Sequence, residues 1–242
     1  MVDLPNFPRE IKKGNNPSGP FFISGASVIV FLIILQLPFT VLAQSLDVYA
    51  IYSDLIAKSR VVRTGPGNVP TDDQIYLIEA TTATSQSRFG GPSGGSFEAS
   101  DSCDQVPSAD AAGYREILAD YNQRRKISMT LASQFSLAKP YQLLTTAEVD
   151  RFLHDALEAT PQVLLRDVPP PVNRNPLYQK SKRVFRLGDV YFNKSRTLAL
   201  VYFSVYTTSL DGYGGWRALR KTSAGRWEEN KSWGCRGWGS IR

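Results

Sequence analysis

The chain has 242 residues, 28 Lys/Arg against 22 Asp/Glu, one histidine and two cysteines. One His and two distant Cys cannot supply the usual ligand set of a zinc site, so no metal is expected there. No phosphate-cradling loop, dinucleotide glycine fingerprint or G-x-S-x-G elbow is present, so no cofactor and no recognisable catalytic set is expected.

The first element is an uncharged run of 23 residues, Phe21 to Ala43, long enough to span a bilayer as a helix. Arg9, Lys12 and Lys13 precede it and the next basic residue is Lys58, so the positive-inside rule sends the C-terminal body across the membrane. Residues 1–43 read as a signal peptide or an N-terminal membrane anchor. Pro38 and Val41-Leu42-Ala43 favour a cut before Gln44, whereas the long leader favours the anchor. Residues 44–242 then form one exported domain, periplasmic or extracellular, or held at the membrane with the body outside.

Leu46 to Ser59 places Val48, Ile51, Tyr52, Leu55 and Ile56 at helical spacing, ending near Gly65-Pro66-Gly67. Gln74 to Thr82 is β-branched and aromatic enough for a strand. Ser85 to Ser108 is Gly- and Ser-rich and reads as a long loop tethered by Cys103. A second helix is expected over Asp110 to Lys126, a short strand at Tyr141 to Leu144, and a helix over Ala147 to Leu157 capped by Thr146. The mixed region 44–167 ends in a proline-rich connection, 168–176.

From residue 183 to 238 the pattern is all β. Strands are expected at Val184 to Phe192, Thr197 to Thr207, Trp216 to Lys221 and Arg226 to Ser232, joined by polar turns at Asn193–Arg196, Ser209–Gly215 and Ala224-Gly225. Short turns pair such strands as antiparallel neighbours, giving a meander with one buried face under the upstream helices. The expected fold class is α+β.

Val190-Tyr191-Phe192-Asn193, then Thr197-Leu198-Ala199-Leu200-Val201-Tyr202, then a Gly-rich turn and Gly225-Arg226-Trp227 carry a resemblance. The order resembles a family of uncharacterised exported bacterial proteins with this C-terminal β-meander. The match covers roughly residues 180–240 and, more loosely, the strand at Gln74–Thr82. Members often carry cysteines in the Gly-rich turn, where this chain has none. The resemblance implies a fold and an exported location, and no activity.

Charge is split along the chain. Residues 44–170 carry 11 Lys/Arg against 16 Asp/Glu, and residues 171–242 carry 14 against 4. Either the two parts face each other and partly neutralise, or the basic part presents a surface to an anionic envelope polymer, a lipid headgroup or a protein partner. Basicity alone permits nucleic acid, but no binding motif supports it and none is expected.

Cys103 and Cys235 are expected to pair in an oxidising compartment. His154 is flanked by Leu153 and Asp155 on a helix and reads as a solvated surface residue. Asp101 and Asp104 offer only a weak calcium pattern. Asn193-Lys194-Ser195 and Asn230-Lys231-Ser232 match the glycosylation sequon. Of the C-terminal aromatics, Tyr213 and Trp216, with Arg217 and Arg220 beside them, are the expected ligand-binding residues, an exposed platform for a sugar or peptide. The leading expectation is a non-catalytic binding domain of the cell envelope. A cell-envelope hydrolase with an unrecognised site is the alternative, and an assembly factor acting only in complex is a third.

Overall fold

Apolar-rich segments from Val184 onward build the core of the body, a mixed sheet that buries both of its faces. The computed structural model describes residues 46–59, 73–84, 103–159 and 175–239. The uncharged run at 21–43, the Gly-Pro-Gly at 65–67, the loop at 85–102 and the prolines at 169–171 lie outside these residues. Among the described residues no helix is long and apolar enough to cross a membrane.

Helix α1 covers 46–58 and buries Ile51, Tyr52, Leu55 and Ile56, the stripe its spacing specifies. Strand β1 is Tyr76–Glu79, and a 3-10 turn at Ser108–Asp110 leads into α2, Ala111–Arg124. Strand β2, Tyr141–Leu144, feeds α3, Thr146–Glu158. The cap of α3 is Thr145 and not the expected Thr146. Its hydroxyl accepts from the Glu148 amide while the Glu148 carboxylate accepts from the Thr145 amide, a capping box. Pro176 does not belong to a rigid connection. It opens a short helix α4, Pro176–Lys180, after Asn175, whose side chain accepts from the Leu177 amide.

The meander is β3 Val184–Phe192, β4 Leu198–Tyr206, β5 Gly212–Lys221 and β6 Trp227–Glu229. β5 begins at Gly212, inside what reads as a turn, and a further strand β7, Gly237–Gly239, pairs with its first half. Gly215 makes this possible: its φ is +154°, and a Cβ there would stand 2.5 Å from the Gly237 Cα. The strand order is β2-β1-β3-β4-β5-β6. β3 to β6 pair antiparallel, while β1 pairs parallel with both β2 and β3. The fold is therefore α+β with a mainly antiparallel sheet, extended at the β3 edge by two parallel strands.

The sheet has two covered faces, where one was expected. On one side α2, α3 and α4 pack on Leu77, Leu198, Leu200, Tyr202 and Trp216. On the other, α1 and the segment from Leu131 to Phe135 pack on Ile78, Phe185, Val201, Phe203 and Leu219. All nine residues of β4 are buried as a result, which explains why it is apolar except at Ser204. A β-bulge shifts the β3–β4 register between Leu187 and Val190, so both of these face the α1 layer although they stand three apart.

Candidate functional site

The acidic and basic parts of the chain meet inside the fold. Asp73 takes Arg183 at 2.6 Å, Glu79 faces Arg186 at 3.0 Å, and Asp110 takes Arg220 at 2.6 Å. Asp47 takes Arg196 at 3.4 Å and Lys221 at 2.9 Å, and Asp104 takes Arg236 at 2.7 Å. Every cation here comes from beyond residue 171 and every carboxylate from before residue 151. The pairing is mirrored at the bulge, where the buried Asp189 of β3 pairs with Arg124 of α2, which also holds Asp120. Much of the charge split is therefore mutual neutralisation.

The four expected binding residues do not form one platform. Residues three apart on a strand point to opposite faces. Trp216 lies in the α2–α3 layer, 5% exposed, its ring edge-on to Tyr121 and Tyr202. Tyr213 packs on the α1 side. Arg220 is committed to Asp110, which also accepts from the Trp233 indole at 2.8 Å. Arg217 stands 3.9 Å from Glu229.

The sulfurs of Cys103 and Cys235 lie 2.09 Å apart, consistent with a disulfide. Their backbones form an antiparallel bridge, the Asp104 amide donates to the Gly234 carbonyl, and Arg236 reaches Asp104. Asp104 is thus taken by an arginine; Asp101 lies outside the described residues. His154 is 67% exposed on α3, 3.7 Å from Glu158. With Asp155 these two form the one group of potential metal ligands among the described residues, a His/carboxylate set that counting His and Cys passes over. It sits on an open helix face, and the Asp155 carboxylate already accepts from the Asn175 amide at 2.9 Å. Asn193, the first sequon asparagine, is buried: its Oδ1 accepts from the Thr197 and Leu198 amides and its Nδ2 donates to Ser195.

Two exposed cations, Lys194 and Arg226, come together with Arg196 and Lys221 at one end of the sheet, a group that sequence reasoning missed. There the β3–β4 and β5–β6 turns lie side by side, the Lys221 amide donating to the Thr197 carbonyl. The first turn of α1 lies against them through Asp47, which also accepts from the Trp227 indole. Burial works to raise the Asp47 carboxyl, but Lys221, Trp227 and Arg196 together hold it below its ordinary range. Arg196 lies over the Phe192 ring, at a positive φ of 53°, and Lys221 over Trp227. Lys194 and Arg226 project from the two turns, exposed and without an ion pair among the described residues.

No protein-family model, no curated protein and no solved structure matches this chain.

Proposed function

We propose that the chain is an exported or membrane-anchored protein whose body, beyond residue 43, acts by binding at the cell envelope and not by catalysis. The observation that carries this reading is the fate of the charged groups: the carboxylates drawn into the fold are matched by basic partners, while the His154 side chain stands exposed on α3 and not in a cleft. A hydrolase of the acid–base type needs the opposite, a histidine and a carboxylate converging in a cleft. The Cys103–Cys235 pair supports an oxidising compartment, periplasmic or extracellular, and the uncharged run at 21–43 supplies the route. The partner is then an anionic polymer, a lipid headgroup or a protein, approached through what the internal pairing leaves exposed.

Expression with the native N-terminus, followed by fractionation and intact-mass measurement, tests the compartment. The expected product is found outside the cytoplasm and gains two hydrogens in mass on reduction. Two free thiols in a cytoplasmic product would refute the reading. N-terminal sequencing separates its two forms, since a chain starting at Gln44 is exported and one starting at Met1 is anchored.

A further inference from the structure

The end of the sheet where α1 begins carries the features of a membrane-contact surface. Four cations stand there, Lys194, Arg196, Lys221 and Arg226. Arg196 and Lys221 share the single Asp47 carboxylate. Glu116 is a second carboxylate at this end, accepting from the Lys194 backbone amide, and Glu228, exposed on β6 two residues from Arg226, is a third. The balance of these seven groups, four cations against three carboxylates, is positive by one charge. Leu46, in the first turn of α1, is 63% exposed, the most exposed large apolar side chain among the described residues. An exposed leucine beside surplus Lys and Arg is the composition that binds at a headgroup boundary.

Chain connectivity adds an independent constraint. The uncharged run ends at Ala43, three residues before Leu46. Three residues reach at most about 10 Å, comparable to a Debye length at physiological salt. If the run is in a bilayer, this end of the body is delivered to the bilayer surface, and the opposite end, with the β4–β5 turn at 207–211, is not. In that anchored form the surplus cations meet the one surface close enough to attract them.

We propose that this end of the body docks on anionic lipid headgroups, with Lys194, Arg196, Lys221 and Arg226 on phosphate oxygens and Leu46 at the interface. The inference rests on the anchored form of the function proposed above. Arginine and lysine N–H groups bind phosphate oxygens by charge-assisted hydrogen bonds, and Arg196 and Lys221 keep further N–H donors beyond those aimed at Asp47. A cation held within a Debye length of an anionic leaflet contributes roughly fivefold to binding, and salt weakens it.

The full-length chain in vesicles tests this. Ser195→Cys places a fluorophore in the β3–β4 turn and Leu210→Cys places one in the β4–β5 turn, with the native cysteines oxidised. A quencher carried on the lipid headgroup reads their distance from the surface. In vesicles containing phosphatidylglycerol, the label at 195 should be quenched several-fold more than in phosphatidylcholine alone, and high salt should reverse this. The label at 210 should stay unquenched. Lys194→Glu with Arg226→Glu should abolish the gain, about tenfold or more in docking, and the milder Lys194→Gln with Arg226→Gln should reduce it several-fold. Both changes are at exposed side chains, so an unchanged melting temperature shows that folding is intact. Equal quenching at 195 and 210, or quenching indifferent to phosphatidylglycerol or to these substitutions, overturns the docking proposal alone. A chain that floats with neither vesicle overturns the anchored form, and docking with it.

Discussion

Asp189 sits at the β3 bulge and is 2% exposed, with Arg124 across from it and the Val190 amide on its carboxylate. Burial raises its carboxyl from 3.8 to about 6, against the opposing pull of Arg124 and that amide, and nearby Asp120 adds to the rise. A carboxyl whose pKa is raised by folding holds its proton more tightly in the native state. Its contribution is therefore full below about pH 4 and is lost as pH climbs through about pH 6. Asp47 and Asp110 have the opposite sign: both are lowered in the fold, so their stabilisation is present above the ordinary carboxylate range and lost as pH falls below it. Asp189→Asn should remove only the first effect. Urea unfolding at a series of pH values should show wild type losing stability relative to the variant between about pH 4 and pH 7, on the order of 3 kcal/mol. Parallel curves for the two proteins would show that Asp189 is not the group responsible.

Helix α3 shows how a local sequence rule sets a boundary. Thr145 and Glu148 close a capping box, while the neighbouring Thr146 sends its hydroxyl to Glu79 Oε1 at 2.6 Å, tying the helix start to β1. Thr145→Ala should cost about 1 kcal/mol in thermal or urea unfolding, the usual loss on removing a threonine cap. The T-x-x-E spacing marks Thr145, with Glu148 three residues on, as the cap, whereas Thr146 has Val149 there. Elsewhere the local composition was enough: β2 and β3 run over Tyr141–Leu144 and Val184–Phe192, as their apolar and aromatic residues mark them. Gly-Tyr-Gly-Gly at 212–215 read as a turn because glycine usually signals one; here close approach of Gly237 and Ser204 requires it inside a strand. The period-two rule could also have separated Tyr213 from Trp216. The basic end could not be assembled from sequence, since Asp47 meets Arg196 and Lys221 from 149 and 174 residues away.

For the whole molecule, the paired charges join the two parts of the chain alongside the apolar layers. Arg183 and Asp73 are the most enclosed of these pairs, at 8% and 1% side-chain exposure, and Asp73 also accepts from the Lys182 amide. Removing Asp73 takes from the buried Arg183 the carboxylate that faces it at 2.6 Å. Asp73→Ala should therefore cost about 3–5 kcal/mol, whereas Lys58→Ala, breaking the exposed pair with Asp54, should cost less than about 1 kcal/mol. Similar losses for the two substitutions would count against this account of the charge split. The parallel placement of β1 has a consequence of another kind, for the order of assembly. Its neighbour β3 lies over 100 residues further on, Leu77 pairing with Val184. Two short parallel strands have little stability alone, so β1 and β2 have nothing to join until the later segment exists. Strands β3 to β6 need only local hairpin closure, which is fast, while recruiting β1 must close a long loop, which is slow. The sheet is thus set to grow backward along the chain, its C-terminal strands forming the template on which the earlier ones are laid.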